Sequence, residues 1–215
     1  MIPIFVGYDP REAVAYHVCC QSIIDHTDAE VSFHPIRGER RDGSNDFIYE
    51  RFLVPHRMGW QGHAIFMDGD MVVRGDIADL WSQRRADLGV QVVKHDYKTK
   101  HPVKYLGNKN DDYPRKNWSS VILWNCGFLP NRVLTPGFVS THDGAYLHRF
   151  TWLADDRIGD LPSAWNRLVL EQEVRPEDKL LHYTIGTPCF SEYADCDQAE
   201  AWHNTLGHAL APIKR

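Results

Sequence analysis

The chain has 215 residues, with 24 Lys and Arg against 29 Asp and Glu, and its formal net charge is −5 with histidine neutral. Hydrophobic residues make up 43% of the sequence and charged residues 25%, which is typical of globular domains and excludes disordered and fibrous classes. The acidic balance without a basic tail argues against nucleic acid as a partner. No apolar run approaches the roughly 18 residues that span a bilayer, so we expect no transmembrane segment.

The cysteines and the N-terminal residues bear on the cellular compartment. Of the five cysteines, Cys19 and Cys20 are adjacent, and the others have neither C-x-x-C spacing nor the density of a disulfide scaffold. Residues 1–6 lack the basic region and long apolar stretch of a secretion signal. We therefore expect free thiols and a cytoplasmic protein.

Strands and helices alternate in the pattern of the first half of the chain. Strands are predicted at Ile2–Gly7, Val31–Ile36, His63–Met67 and Leu88–Val93, and helical segments after Asp9, at Phe47–Val54 and at Asp76–Trp81. Asp9 is the expected N-cap of the first helix, with Glu12 at the capping-box position. This order predicts an α/β fold with a mixed, mostly parallel sheet flanked by helices, because parallel neighbours need a crossover helix.

The second half of the chain begins with a polar stretch from His95 to Trp118 that contains Pro, Gly and six cationic residues. It is typical of a loop or lid. The elements predicted after it are a strand at Ser120–Asn125, a helix at Gly144–Leu153, a strand at Leu180–Thr184 and a terminal helix at Gln198–Leu210. No internal repeat interrupts the chain, and we predict a single domain over 1–215.

An Asp-Gly-Asp segment lies between two apolar runs. Asp68 and Asp70 are at positions i and i+2, which point to the same side of an extended chain and can converge on one hard cation. Two such carboxylates repel each other unless a cation intervenes. The alternative is a polar turn joining two strands, in which Asp-Gly is common.

Five segments in a fixed order resemble glycosyltransferase family 8 and its bacterial DxD relatives. They are Gly7-Tyr8-Asp9, Tyr49-Glu50-Arg51-Phe52, the run Phe66–Trp81 around Asp68-Gly69-Asp70, Leu161–Asn166 and His182–Pro188. The resemblance extends to about Phe190. It implies a GT-A fold and a hexosyltransferase-like enzyme, with a nucleotide-binding half at about 1–94 and an acceptor-side half at about 95–215.

The resemblance also implies the reaction and its cofactor. A sugar would pass, with retention, from a UDP-sugar-like donor to a sugar, lipid or protein acceptor. Asp68, Asp70 and His182 would bind a divalent metal, and Asp68 would also face the donor. An imidazole among oxygen ligands suits Mn²⁺ better than Mg²⁺, and a cation between carboxylates and phosphates would let an acidic protein hold a diphosphate.

Four more residues are matched to the donor site through the resemblance. Tyr8 and Asp9 would contact the nucleobase, although Asp9 is also the predicted helix cap. Arg51 would lie near the donor, and its alternative is an exposed arginine on a helix surface. Gly186 would border the diphosphate, but the family's lysine and tryptophan are missing after it. Arg51 or the cations between Lys98 and Lys116 would supply that charge, with the loop folding over the donor as a lid.

Asp155 and Asp156 lie roughly where the family carries an Asp-Gln pair beside the donor sugar and the acceptor. A carboxylate there stabilises an oxocarbenium-like centre or serves briefly as a nucleophile. We predict these two aspartates as the catalytic residues. The alternative is an acidic loop that is solvated or caps a helix.

Two other functions remain open from sequence. An apolar strand followed by Asp-x-Asp resembles a haloacid dehalogenase-type phosphatase or phosphotransferase, but in that fold the motif normally follows the first strand, and here two predicted strands precede it. The missing lysine leaves room for a nonenzymatic sugar or nucleotide binder on a transferase scaffold.

Overall fold

A six-stranded mixed sheet runs through the centre of the computed structural model, which describes residues 1–39 and 45–211. The strands of the described part are β1 (Ile2–Gly7), β2 (Val31–Ile36), β3 (His63–Met67), β4 (Met71–Val73), β5 (Val90–Val92), β6 (Val121–Asn125), β7 (Ile158–Asp160), β8 (Arg167–Leu168) and β9 (Leu180–His182). The α-helices are α1 (Ala13–Asp25), α2 (Val54–Arg57), α3 (Ile77–Ser82), α4 (Pro136–Thr141), α5 (Gly144–His148) and α6 (Ala199–Ala209).

The strand order of the large sheet is β2-β1-β3-β6-β5-β7. The pairs β1–β2, β1–β3 and β5–β7 are parallel, and β6 runs antiparallel to both of its neighbours. The mostly parallel sheet with flanking helices predicted from sequence is confirmed. The carboxyl ends of β1 and β3 lie side by side, which is the edge where open α/β sheets bind ligands.

Both faces of the central strands are covered. Ile65 and Met67 of β3 pack into one buried cluster that includes Ile23 of α1, whereas Ala64 and Phe66 pack into a second cluster on the other face. This alternation follows from the two-residue period of a strand. The polar residues that follow β3 therefore emerge from a strand that is held rigidly on both sides.

A second, three-stranded sheet has the order β4-β9-β8 and was not predicted from the sequence. β9 lies within the strand predicted at Leu180–Thr184, but β4 and β8 have three and two residues, too short for a hydrophobic period to show. β4 pairs antiparallel with β9, and β8 pairs parallel with β9. This small sheet brings the region around residue 182 back to the segment that follows β3.

The predicted bounds of β1, β2 and β3 are confirmed, but two predicted helices differ from the structure. The helix predicted at Gly144–Leu153 ends at His148, and Phe150 has φ +56°, which ends a helical run. The segment Phe47–Val54 forms a 3-10 turn at Glu50–Leu53 before the short α2. Pro55 at the start of α2 has no amide hydrogen for a continuous helix.

The polar stretch from residue 95 to residue 118, called the 95–118 loop below, is irregular as predicted. Glu171 fixes it from inside: the carboxylate is buried and accepts from Thr99 Oγ1 at 2.5 Å, from the Lys100 amide at 2.7 Å and from Asn110 Nδ2 at 3.2 Å. A buried carboxylate with three donors is well satisfied. Within the described ranges, every helix is too short or too polar to cross a membrane.

Candidate metal and ligand site

Asp68, Gly69 and Asp70 form the link between β3 of the large sheet and β4 of the small sheet. Gly69 passes so close to the end of β1 that a Cβ there would lie 2.3 Å from the Gly7 carbonyl oxygen. The middle position of the motif therefore needs glycine, and this close approach fixes where the two flanking carboxylates emerge.

The register of the small sheet places His182 beside these carboxylates. Met71 of β4 is paired with His182 of β9, and the Tyr183 amide donates to the Asp70 carbonyl at 2.9 Å. A separation of more than a hundred residues in sequence is thus closed by one antiparallel pair.

The side chains of Asp68, Asp70 and His182 converge, with ligand atoms that all lie within 4.8 Å of one another. His182 Nε2 is 3.3 Å from Asp70 Oδ1 and 3.9 Å from Asp68 Oδ2. His182 is 1% exposed and Asp68 8% exposed. The sequence prediction that these three residues meet is confirmed, and the cluster can bind a divalent metal.

The hydrogen bonds around the cluster fit a cation. Asn166 Oδ1 lies 3.0 Å from His182 Nδ1, and an amide oxygen accepts, so Nδ1 carries a proton and Nε2 is directed at the carboxylates. Asp70 Oδ1 is buried and has no hydrogen-bond partner among the described residues. Lone pairs of an imidazole and two carboxylates directed at one point are mutually repulsive without a cation between them, and two oxygens with one nitrogen suit a divalent ion.

Arg51 is buried beneath this cluster, so the alternative of an exposed arginine on a helix surface is wrong. Its Nη1 is 2.8 Å from Asp68 Oδ1 and donates to the Ser119 carbonyl at 2.9 Å, while its Nε donates to the Ile48 carbonyl at 3.0 Å. Burial raises the pKa of Asp68 to about 6, against the opposing effect of Arg51. The guanidinium therefore holds Asp68 in place and stabilises its charge.

A cavity of about 310 Å³ opens over the cluster. Its volume lies in the size range of small-molecule sites. The residues that line it include Asn45, Arg51, Asp68, Asp70, Lys104, Asn117, Ser119, Ser120, His148, Arg149, His182 and Thr184. Two thirds of this list lies beyond residue 94, so both halves of the chain form the cavity.

Lys104 is the cation of the 95–118 loop that lines the cavity. Its Nζ donates to Thr184 Oγ1 at 3.2 Å, and burial lowers its pKa while the charges of Asp70 and Asp68 raise it. Two other cations of the loop have partners that do not line the cavity: Lys116 donates to Asn110 Oδ1, and Arg115 pairs with Asp155. One cation of the 95–118 loop therefore lines the cavity.

Sequence reasoning missed the wall of the cavity formed by α5 and the start of β6. Ser119 and Ser120 precede β6, and His148 and Arg149 lie at the end of α5. The signal available was two adjacent serines at the start of a buried strand. No comparable signal marked His148, because a histidine in a short helix has no recognisable spacing.

Three residues matched to the donor lie outside the described lining of this cavity. Tyr8 packs edge to face on Tyr16, with ring centroids 5.4 Å apart. Asp9 is buried and caps the helix as predicted. Its two carboxylate oxygens already accept hydrogen bonds from Arg11 and from the Asp46 amide. A Cβ on Gly186 would overlap the Tyr193 ring at 2.3 Å, so packing alone requires glycine there.

Asp155 and Asp156 are exposed and form a 3-10 turn with Arg157. Asp155 is 2.6 Å from Arg115 Nη2, and Asp156 is 3.5 Å from Arg157 Nε. Neither is among the described residues that line the cavity. The structure therefore does not bring the predicted catalytic pair to the metal cluster.

No family model matches this sequence. A relative, Protein CDI of Arabidopsis thaliana, is 40% identical over 222 aligned positions, which cover 94% of this chain and 85% of the relative. The solved galactosyltransferase LgtC, in complex with donor and acceptor sugar analogs, superimposes with a TM-score of 0.67 at 14% identity over 99% of this chain and 98% of its own. Glycosyltransferase GlyE of Streptococcus pneumoniae gives 0.68 at 12% identity over 98% of this chain and 60% of its own. These likenesses show that the single domain has the GT-A glycosyltransferase fold.

Proposed function

This chain belongs to the family of Protein CDI of Arabidopsis thaliana, and we propose that it is a metal-dependent glycosyltransferase that uses a nucleotide-sugar donor. The observation that carries the proposal is the convergence of Asp68, Asp70 and His182 at the strand ends of a GT-A fold, under a cavity. The proposed donor class is based on the fold, and the proposed position of the donor diphosphate is based on the metal cluster.

In this proposal, different residues around the cluster bind the metal, orient its ligand and contact the donor. A divalent ion bound there would act as a Lewis acid toward the departing diphosphate. Asp68, Asp70 and His182 would hold it, and Asn166 keeps the His182 ring in the binding tautomer. Lys104 adds a positive charge on the loop side, where it can pair with a phosphate oxygen of the donor.

The finer assignments rest on the resemblance to family 8 and belong to the same proposal. They are Mn²⁺ as the metal, UDP as the nucleotide, a hexosyl group transferred with retention, nucleobase contacts from Tyr8 and Asp9, and a nucleotide side at about 1–94. The catalytic role of Asp155 and Asp156 also stays a prediction, which their exposed placement does not support.

Thermal unfolding with nucleoside diphosphates tests the proposal. UDP, GDP, ADP and CDP are compared with and without Mn²⁺, because a ligand that binds the folded state raises the apparent Tm. We expect one diphosphate to raise Tm with Mn²⁺ and to lose most of that effect with EDTA. The matching nucleotide sugar should then be hydrolysed slowly to the diphosphate and free sugar.

A pair of charge-matched variants makes this test specific. Asp70→Asn removes a ligand without changing size, whereas Asp87→Asn makes the same change on an exposed carboxylate that pairs with Arg85. Asp70→Asn should abolish the Mn²⁺-dependent shift, and Asp87→Asn should retain it. An unchanged shift in Asp70→Asn, or no shift with any diphosphate in the natural sequence, contradicts the proposal.

The two alternative functions give different results. The GT-A fold does not support the haloacid dehalogenase-type interpretation, which the order of the strands already disfavoured. A nonenzymatic binder would show the diphosphate shift but neither hydrolysis nor transfer of the nucleotide sugar.

A further inference from the structure

Some buried polar atoms on the lining of the cavity lack a partner. Among the described residues, three such atoms belong to this lining: Asp70 Oδ1, His148 Nε2 and Arg149 Nε. Asp70 Oδ1 belongs to the metal cluster. Leaving a buried polar atom unpaired is costly, so the two nitrogens on the α5 wall indicate that a second ligand group belongs there.

Two adjacent serines connect this wall to the metal cluster. Ser120 Oγ accepts from Asn166 Nδ2 at 2.8 Å, and Asn166 in turn orients His182. Ser119 Oγ lies 2.6 Å from His148 Nδ1. Neighbouring residues before β6 therefore hold His148 directly and His182 through Asn166, and both histidines line the same cavity.

Arg51 makes the same connection from below. Its guanidinium contacts both the Ser119 carbonyl and Asp68 Oδ1 through the same nitrogen. Arg51 therefore links Asp68 of the cluster to Ser119, the residue that contacts His148.

The chemistry of His148 points to a hydroxyl group. Burial, aided by the Arg51 charge, lowers the pKa of His148 to about 3, so its ring is neutral at physiological pH. Ser119 Oγ can donate to Nδ1 or accept from it, which leaves Nε2 as a donor or as an acceptor. A hydroxyl can satisfy either state, whereas a phosphate only accepts and an ammonium only donates. Arg149 Nε, a donor, can reach an oxygen of the same kind.

We propose that His148 Nε2 hydrogen-bonds a sugar hydroxyl of the substrate bound in this cavity, with Arg149 donating beside it. This inference rests on the proposed function. The hydroxyl belongs either to the sugar of the nucleotide-sugar donor or to the acceptor, which offer the same chemistry.

Two substitutions separate the two ring nitrogens of His148. His148→Asn places an amide where Nδ1 lies, so the contact with Ser119 remains and the Nε2 position is empty. His148→Gln places an amide near the Nε2 position. Calorimetry in Mn²⁺ then measures the affinities for UDP, UDP-glucose and UDP-galactose, and for GDP and GDP-mannose.

In His148→Asn we expect nucleoside diphosphate affinity within twofold of the natural sequence and about tenfold weaker binding of the matching nucleotide sugar. His148→Gln should recover most of that loss. The unchanged diphosphate affinity also reports that the variant folds, which matters because His148 packs edge to face on Phe52 at 5.1 Å.

Unchanged nucleotide-sugar affinity, together with weaker binding of methyl glucoside or methyl galactoside to the protein with Mn²⁺ and diphosphate, supports the hydroxyl contact and assigns it to the acceptor. Equal losses for diphosphate and nucleotide sugar, or no loss with any probe, overturn the inference. Absence of diphosphate binding in the natural sequence is a failure of the proposed function, and the inference fails with it.

Discussion

The two sides of the cavity are built in different ways. On the metal side, Asp68, Asp70 and His182 emerge from strand ends, and sheet register fixes their positions. On the opposite side, the lining comes from the 95–118 loop and from α5, which has five residues. The metal side is therefore preorganised by the same pairings that stabilise the fold, whereas the loop side depends on side-chain hydrogen bonds such as those of Glu171.

This difference predicts on which side of the cavity substitutions have the larger effects. Groups held by register cannot move to compensate for a change, so effects on the metal side are expected to be large. Groups on irregular backbone can adjust, so effects on the loop side are expected to be smaller and to change substrate preference.

The largest expected effect is on stability, at Arg51 under the metal side. Arg51→Leu leaves Asp68 buried without its partner, and removing one member of a buried ion pair costs about 3–5 kcal/mol. Urea unfolding measures the loss, and Mn²⁺ should restore part of it by neutralising Asp68. Arg57→Leu removes an exposed pair with Glu50 and should cost less than about 1 kcal/mol. Equal losses in the two variants would mean that the Asp68 pair is not buried.

Next comes Asn166, which orients His182. Asn166→Leu keeps the size but leaves His182 Nδ1 without an acceptor, and loss of such a partner typically weakens metal affinity about 10- to 100-fold. Asn166→Asp retains an acceptor and should bind Mn²⁺ more tightly than Asn166→Leu does. Titration of the metal alone checks this, and affinities that do not differ would remove His182 from the ligand set.

On the loop side, Lys104→Met should weaken diphosphate binding about tenfold, because a charge-assisted hydrogen bond is lost. Mn²⁺ affinity should stay the same or increase, since a positive charge near Asp70 and Asp68 is removed. Lys98→Met is the matched control on the exposed part of the same loop. Comparable losses in both variants would indicate a diffuse charge effect and no defined phosphate contact.

The pH dependence of stability tests the buried imidazoles of the loop side. Burial lowers the pKa of His95 and of His148 to about 3, from an unfolded value near 6.5. Below about pH 6.5 the unfolded chain binds more protons, so stability is lost as pH falls, by up to about 1.4 kcal/mol per pH unit for each group. Urea unfolding between pH 5 and pH 7 should show a flatter slope in His95→Asn than in the natural sequence. Parallel slopes would show that His95 titrates normally.

Asp155 is expected to have the smallest effect. The resemblance predicts a catalytic residue, for which Asp155→Asn would reduce turnover at least 100-fold. Its exposed position and its contact with Arg115 favour a change below threefold. Hydrolysis of the nucleotide sugar decides between them, and a large loss with unchanged donor affinity would restore the catalytic assignment.

The residues of the metal side were easier to predict from the sequence than those of the loop side, for a physical reason. β3 buries both faces and is followed by Asp-Gly-Asp, so local pattern identified Asp68 and Asp70 as candidate ligands, with a polar turn as the alternative. His182 was found only through the resemblance, because its pairing with Met71 is a long-range contact between three-residue strands. His148 gave no signal at all, since its position depends on where α5 ends.

For Asp9 and Arg51, the sequence allowed two roles each, and the structure shows which contacts the side chain makes. Asp9 was predicted both as a helix cap and as a nucleobase contact, and in the structure its carboxylate is already filled by Arg11 and the Asp46 amide. Arg51 was predicted near the donor, and it lies near the cluster, but its guanidinium is directed at Asp68 and the backbone. Residue type predicts a chemistry, whereas the partner is fixed only by packing.

The most direct test is a crystal structure with Mn²⁺ and the diphosphate that stabilises the protein, with anomalous scattering used to locate the ion. The account predicts one anomalous peak within about 2.3 Å of carboxylate oxygens of Asp68 and Asp70 and of His182 Nε2, with diphosphate oxygens on its open side. An ion bound elsewhere, or a diphosphate bound away from these three side chains, would contradict it.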